Sequence, residues 1–320
     1  MFLEQRCFAA PELNAFHHSV EARAPSLRVS WHVGQNVASD YALLERAVPF
    51  VGRMNRSCMT ILLEGVGRFE EAGARVWLEA GSLVASDQRR RGTEAYAGAK
   101  TSLVVIEWDP AVVGAEMSGA FRRTRLDTRD QKRLRALAPR LATEDAARAT
   151  VKIFDVLRSI GLPFAALEEG DLADGTTEAD RRLAAVVGAQ LSRLETHPGI
   201  EDVVGELGWS SRHVNRRFAA LARAYGLPWE QWRSVLHQTR LLTAFRLLSV
   251  PEVTTELVAR RTGFRSPTAL CHAFAKAGLP SPGVLARAAR HDVLDAWTMY
   301  GSSDTTRHLR FENDNARSER

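Results

Sequence analysis

Two stretches of this chain are written to one plan, and the plan leaves few folds open. The first is ELGWSSRHVNRRF, from Glu206 to Phe218; the second is LVARRTGFRSPTALCHAF, from Leu257 to Phe274. In each, a short apolar-periodic segment stops at a glycine that precedes an aromatic residue, Gly208-Trp209 and Gly263-Phe264. A serine follows, Ser210 or Ser266, and a Phe stands eight residues beyond each serine. Glycine favours the left-handed conformation that ends a helix, and serine is a good N-cap for the next one. Proline at the first helical position, as at Pro267, costs no hydrogen bond. Each stretch therefore predicts a helix, a tight turn and a second helix.

The second helix of each pair has two unlike stripes. Val214, Phe218 and Leu221 are spaced to share a buried side, and Leu270 and Phe274 repeat the first two. Arg212, Asn215 and Arg216 share the opposite, wet side. Such a helix can lie in a DNA major groove, where arginine pairs with guanine through two donors and asparagine can do the same to adenine. A single copy would fit equally well as a solvated amphipathic helix in any all-α domain. Two copies, joined by SVLHQTRLLTAFRLL (Ser234 to Leu248) as one long helix, favour the DNA reading.

Gly-Leu-Pro follows both copies, at Gly226 to Pro228 and at Gly278 to Pro280. Glycine ends the helix and proline forbids its return. The same tripeptide at Gly161 to Pro163 follows no such layout, so by itself it is only a helix stop.

The segment from about Ala179 to Arg290 resembles the paired helix-turn-helix domain of the AraC/XylS family of transcription regulators. The residues that carry the likeness are IEDVVGELGWSSRHVNRRF, the run RLLTAFRLL (Arg240 to Leu248), VARRTGFRSPTALCHAF and Pro282. The run from Phe218 to Gly226 is longer than the family's, Gly278 comes early, and the aromatic-arginine pair after Pro282 is missing. The resemblance implies base contacts at Arg212, Asn215 and Arg216 in the first unit, and at Pro267, Thr268 and His272 in the second. Proline has no donor, so Thr268 and His272 are the second unit's base candidates, and they are weaker chemistry than two arginines. Ser211, Arg217, Arg265 and Ser266 are the phosphate candidates, which would add affinity and salt dependence rather than sequence choice. Cys271 lies near the same outer face and reads as a small filler.

The preceding part of the chain differs in kind. TILLEGVGRF, ARVWLEAGSLVAS and KTSLVVIEWD, between about Arg28 and Asp109, read as short strands punctuated by glycines. They predict an antiparallel β sandwich or small barrel, and LLEGVGRFEEAGARVWLEAGSLVASD is similar to the hairpins of the cupin-like domain common in this family. DQKRLRALAPRLATEDAARATVKIFDVLRSI predicts two helices broken near Pro139. Their apolar stripe (Leu134, Leu137, Leu141, Ile153, Phe154, Leu157) marks either a dimer surface or a face packed on the β domain. EEGDLADGTTEAD, Glu168 to Asp180, is the best boundary.

The expected fold is thus α+β in two domains. Residues 1–125 form a cupin-like regulatory domain and 126–177 a helical linker with a possible dimer surface; 178–290 hold the paired helix-turn-helix units, and 291–320 a mobile tail. Trp31, Phe69, Trp77 and Trp108 are candidates to line an apolar effector pocket, although core packing is the commoner role of such residues. The run Gln88 to Gly92, with three arginines, reads as an exposed loop.

Charge agrees with a polyanionic partner. Of the net +5, residues 178–290 carry sixteen Arg and Lys against nine Asp and Glu, a net of +7. Only four lysines occur, so a bias toward arginine codons accounts for the choice of Arg but not for its concentration. His17, His18 and His32 are the only histidines before His197, and the adjacent pair would point to opposite faces of a strand. No metal or other cofactor is expected. Three scattered cysteines, no long apolar run and no charged leader fit a cytoplasmic protein. The expected partners are double-stranded DNA, a small effector, RNA polymerase for an activator, and a second copy of the chain. A metal-independent cupin-like binding protein or enzyme with a basic helical appendage is the competing reading. A DNA-repair protein with a similar helical domain would call for a metal-binding cysteine cluster, and none is written here.

Overall fold

A computed structural model describes residues 2–24, 26–37, 39–40, 57–71, 74–87, 93–109, 122–143, 145–172, 176–225, 230–250 and 253–287. The run Gln88 to Gly92, the tripeptide Gly226 to Pro228 and the expected tail 291–320 lie outside these residues. Among them no helix is long and apolar enough to cross a membrane.

The first part of the chain is one antiparallel sheet. Its strands are β1 (Phe2–Ala10), β2 (Ala15–Ala24), β3 (Leu27–Gln35), β4 (Ser39–Asp40), β5 (Ser57–Glu71), β6 (Ala74–Glu79), β7 (Ser82–Asp87), β8 (Thr93–Trp108) and β9 (Arg122–Arg125). The order is β1-β2-β3-β8-β5-β7-β9, with β4 on β8 and β6 on β5. β5 shifts register against β8 between Leu62 and Glu64 and again between Glu64 and Val66. Gly65, at φ 92°, sits in that irregularity. A Cβ there would lie 2.9 Å from the Lys100 carbonyl oxygen, so the strand can turn at this point only with glycine.

The sheet starts earlier than the strand-like composition suggests. β1 and β2 pair from Phe2↔Arg23 to Ala10↔Ala15, before the stretch that reads as β in sequence. The reason is visible in β2. Val20, Ala22 and Ala24 are buried, but so are His17, Ser19, Glu21 and Arg23 on the alternate positions. A strand whose second face is charged reads as solvent-exposed, yet this face is closed over. Glu21 pairs with Arg23 and, at 2.9 Å, with Arg28, which also bonds Glu107 at 2.7 Å. Burial pulls the Arg28 guanidinium toward losing its proton, but Glu107 and Glu21 outweigh it and hold it above its ordinary value. As expected of neighbours on a strand, the two histidines diverge. His17 faces Phe8 and His32 with ring centroids 5.9 and 5.8 Å away, whereas His18 meets the edge of Trp31.

Two helices cover the other face. α1 (Thr128–Leu137) is capped by Asp127, which accepts from the Asp130 N–H at 2.7 Å. A 3-10 turn through Pro139 (Ala138–Ala142) leads to α2 (Ala146–Ser159), as the proline in the sequence predicts. Leu134, Leu141, Ile153, Phe154 and Leu157 are all fully buried against the sheet in a cluster with Met59, Ile61 and Ile106. The stripe takes the second of the two places its spacing allows, a face packed on the β domain. Its apolar side chains are consumed by packing on the β domain, and the outer face of α2 presents Arg148, Lys152, Asp155 and Arg158.

The second part is all-α. Its helices are α3 (Glu178–Leu191), α4 (Ile200–Leu207), α5 (Ser211–Tyr225), α6 (Trp232–Leu248), α7 (Thr255–Arg261) and α8 (Pro267–Lys276). α3 opens with a capping box between Thr177 and Asp180. α4 ends on Gly208 at φ 69°, and Gly263 (φ 70°) and Gly278 (φ 71°) follow α7 and α8 in the same left-handed conformation. Two cores result. One joins Leu183, Leu191, Val203, Val214, Phe218 and the start of α6 at Trp232 and Val235. The other joins the end of α6 to Val258, Leu270, Phe274 and Leu285. The long helix thus belongs to both units, which fixes one relative to the other.

Candidate nucleic-acid interface

The two units place equivalent residues in equivalent positions. Ser210 Oγ accepts the His213 N–H at 3.2 Å, and Ser266 Oγ accepts the Ala269 N–H at 3.1 Å. Counting from these caps, Val214 matches Leu270 and Phe218 matches Phe274, and all four side chains are buried. Arg212 then matches Thr268, and Arg216 matches His272; these four are exposed. Each pair is spaced i, i+4 and so lies on one stripe in the first two turns of its helix. Arg265 is exposed just before α8.

The remaining residues singled out in the sequence are held differently. Asn215 is half-buried, and its Oδ1 is enclosed without a hydrogen-bond partner. Its counterpart in α8 is the half-buried Cys271. An enclosed oxygen leaves the amide's N–H side as the group that can face outward. Arg217 does not project freely. It donates to Thr177 Oγ1 at 2.9 Å and its Nε lies 3.4 Å from Asp180. That ties α5 to the capping box of α3, and this structural bond competes with any phosphate contact by the same guanidinium. Ser211 and Ser266 are half-buried at the starts of their helices, with the Ser266 hydroxyl already serving as cap.

Two features escape the sequence patterns. Trp209, in the first turn, stacks on the His213 ring at 4.7 Å with 14° between planes. An aromatic next to a turn glycine is a weak signal for this, because its partner lies across the helix start. In the second turn, a Cβ on Gly263 would collide with the Leu194 carbonyl and come within 3.1 Å of the Arg240 guanidinium. Leu194 belongs to the first unit's core, between α3 and α4, and Arg240 lies on the joining helix, so this close approach locks the second turn against the first unit. Gly208 has nothing within 4 Å of the same position.

Two of the four aromatics expected at an effector pocket are packed into the core. Trp108 is fully buried beneath the helices, edge-on to Phe164 at 5.0 Å. Trp31 packs on the same core, four residues along β3 from Leu27, the cross-strand partner of Trp108, and donates to Ser102 Oγ at 3.1 Å. Trp77 is half-buried on β6, and the side chain of Phe69 lies outside the described residues. Trp31 and Trp108 therefore serve the core, where large side chains gain most from burial. Among the described residues no three His, Cys, Asp or Glu stand close enough to hold a metal ion.

No family model matches the chain, and no curated protein does. Solved structures do. ToxT from Vibrio cholerae is 11% identical over 81% of this chain and 98% of its own, with a TM-score of 0.32. The AraC-like transcriptional activator CuxR is 12% identical over 90% of this chain and 83% of its own, also at 0.32. These whole-chain superpositions are loose and nothing further rests on them. The DNA-binding domain of AdpA, a global transcriptional factor solved with a target DNA, is 32% identical over 35% of this chain and 95% of that domain, at a TM-score of 0.29. That superposition is loose as well, and the resemblance to the AraC/XylS family stands on the residues of the two capped, glycine-turned units and their joining helix.

Proposed function

We propose that this protein is a sequence-specific DNA-binding transcriptional regulator that reads the major groove with two helix-turn-helix units. One observation carries the reading: Arg212/Arg216 and Thr268/His272 stand exposed, in matching register, on the first turns of two serine-capped helices. These four supply base contacts, with Asn215 contributing its N–H side. Arg265, Ser211 and Ser266 hold phosphate; Arg217 chiefly holds α5 in place. The net +7 of residues 178–290 supports a polyanionic partner.

The domain limits follow this division of labour. Residues 1–125 with the helices of 126–177 form a regulatory part, 178–290 the reading part. The regulatory part answers to a small effector or a partner subunit, a second copy of the chain included, and an activator of this design would engage RNA polymerase in the cytoplasm. The direct test is to capture fragments of the source genome on the full chain and sequence them. Recovery of a recurring site with two half-sites about one helical turn, roughly 34 Å, apart is expected. Recovery of fragments without a shared sequence would overturn the reading.

A further inference from the structure

We infer that the β1–β2 hairpin is a working part of the second helix-turn-helix unit, completing its core and setting how well α7 and α8 are ordered. Three observations converge. The second unit's apolar cluster does not close on its own helices: Phe8, Ala10 and Ala15 of the hairpin, with Val37, are buried in it together with Leu241 to Leu248 and Phe274. The joining helix records the same enclosure. Every residue from Leu241 to Leu248 is buried, although a helix packed along one side keeps its opposite face in water. Something must cover that opposite face, and the hairpin shares its cluster. At the hairpin's tip, Glu12 then meets Arg261 at the end of α7 through two hydrogen bonds, that from Nε measuring 2.7 Å. Those bonds from Arg261 hold the Glu12 carboxyl below its ordinary value.

The first unit's apolar core takes no residue from the hairpin. That core is built from α3, Leu194, α4, α5 and the start of α6, although β1 lies against α3. Loosening the hairpin therefore opens the second unit's core itself, whereas the first unit loses only the face of α3 that β1 lies against. Local stability is set by the contacts a segment buries, so loosening the hairpin raises the open population of α7 and α8 before that of α5. The sequence boundary at 168–180 remains a boundary of the chain, but not of the second core.

The test is amide hydrogen exchange on the full chain without DNA, so that it stands apart from the proposed function. Ala10→Glu puts a charge inside the shared cluster, and exchange in α7 and α8 should quicken by about tenfold or more while α5 changes less. Glu12→Arg sets like charges at the tip and should quicken α7 about threefold, and the exchanged pair Glu12→Arg with Arg261→Glu should restore it. Unchanged exchange in α7 and α8, equal quickening throughout the molecule, or no difference between the single reversal and the exchanged pair would overturn the inference. If exchange responds as stated but affinity for a captured DNA site does not, the hairpin's structural role stands and its link to DNA reading falls.

Discussion

The two helix-turn-helix units share a skeleton and differ in almost everything attached to it. The first closes its apolar core without the hairpin, carries two exposed arginines on its outer stripe, and turns through a glycine that touches nothing. The second borrows part of its core from the N-terminal hairpin, offers Thr268 and His272, and turns through a glycine pressed against Leu194 and Arg240. Arginine can make two hydrogen bonds to one guanine; threonine and histidine rarely do. The contrast teaches that duplication of a motif need not duplicate its job. Under the proposed function, the first unit chooses sequence and the second is placed and held.

The largest expected effects test whether the two cores are equal. Phe218 and Phe274 are each buried to 1% or less, so either Phe→Ala change should cost about 3–5 kcal/mol in denaturant unfolding. A clearly smaller loss at Phe274 would mean that the second core is already loose and the comparison overstated. Next come the turns. Gly263→Ala brings both a left-handed strain and a collision with Leu194, and should cost about 3 kcal/mol or more. Gly208→Ala brings only the strain, about 1–2 kcal/mol. Equal costs would remove the claim that the second turn is locked to the first unit.

Binding should show the opposite ranking. Arg216→Ala should cost about 1–3 kcal/mol on a captured site, and His272→Ala less than about 1 kcal/mol, by titration at fixed salt. A larger loss at His272 would invert the assignment of reader and holder. Arg265→Ala should lower the salt slope by about one unit without altering stability. Arg217→Ala should do the reverse, because its guanidinium is spent on Thr177 and Asp180. The smallest effect concerns pH. Glu12 is held below its ordinary value when folded, so its pair with Arg261 stabilises the native state at neutral pH. That contribution disappears as pH falls through the folded value, and Glu12→Gln should flatten this part of the stability curve in acid titrations followed by hydrogen exchange in α7.

How much of this was legible in the sequence differs by region. The reading half was, because glycine, serine and the 3.6-residue spacing of Val214, Phe218 and Leu221 act locally, within one turn of where they stand. The helices around Pro139 were legible for the same reason. Which surface their stripe covers was not, since periodicity says that Leu134 and Phe154 are buried but not by what. The hairpin was hidden by its own chemistry. Glu21, Arg23 and Arg28 look like a solvated face, and Glu107, far along the chain, is one of the partners that make their burial tolerable. Trp108 could not be assigned from sequence, because an aromatic on a strand serves a pocket or a core equally well until its neighbours, here Phe164, are known. In the site itself, the exposure of Arg212 and Arg216 followed from spacing, whereas the diversion of Arg217 to Asp180 depends on a helix that begins well before it.

The central claim is that the first unit chooses sequence. Full-length protein and its Arg216→Ala variant should be titrated against a captured genomic site and random DNA of equal length, at several salt concentrations. The account predicts that the parent prefers its site by about 10³-fold or more, and that the variant loses roughly tenfold or more of that preference with affinity for random DNA unchanged. Equal affinity of the parent for both DNAs, or a variant weakened on both by the same factor, would contradict it.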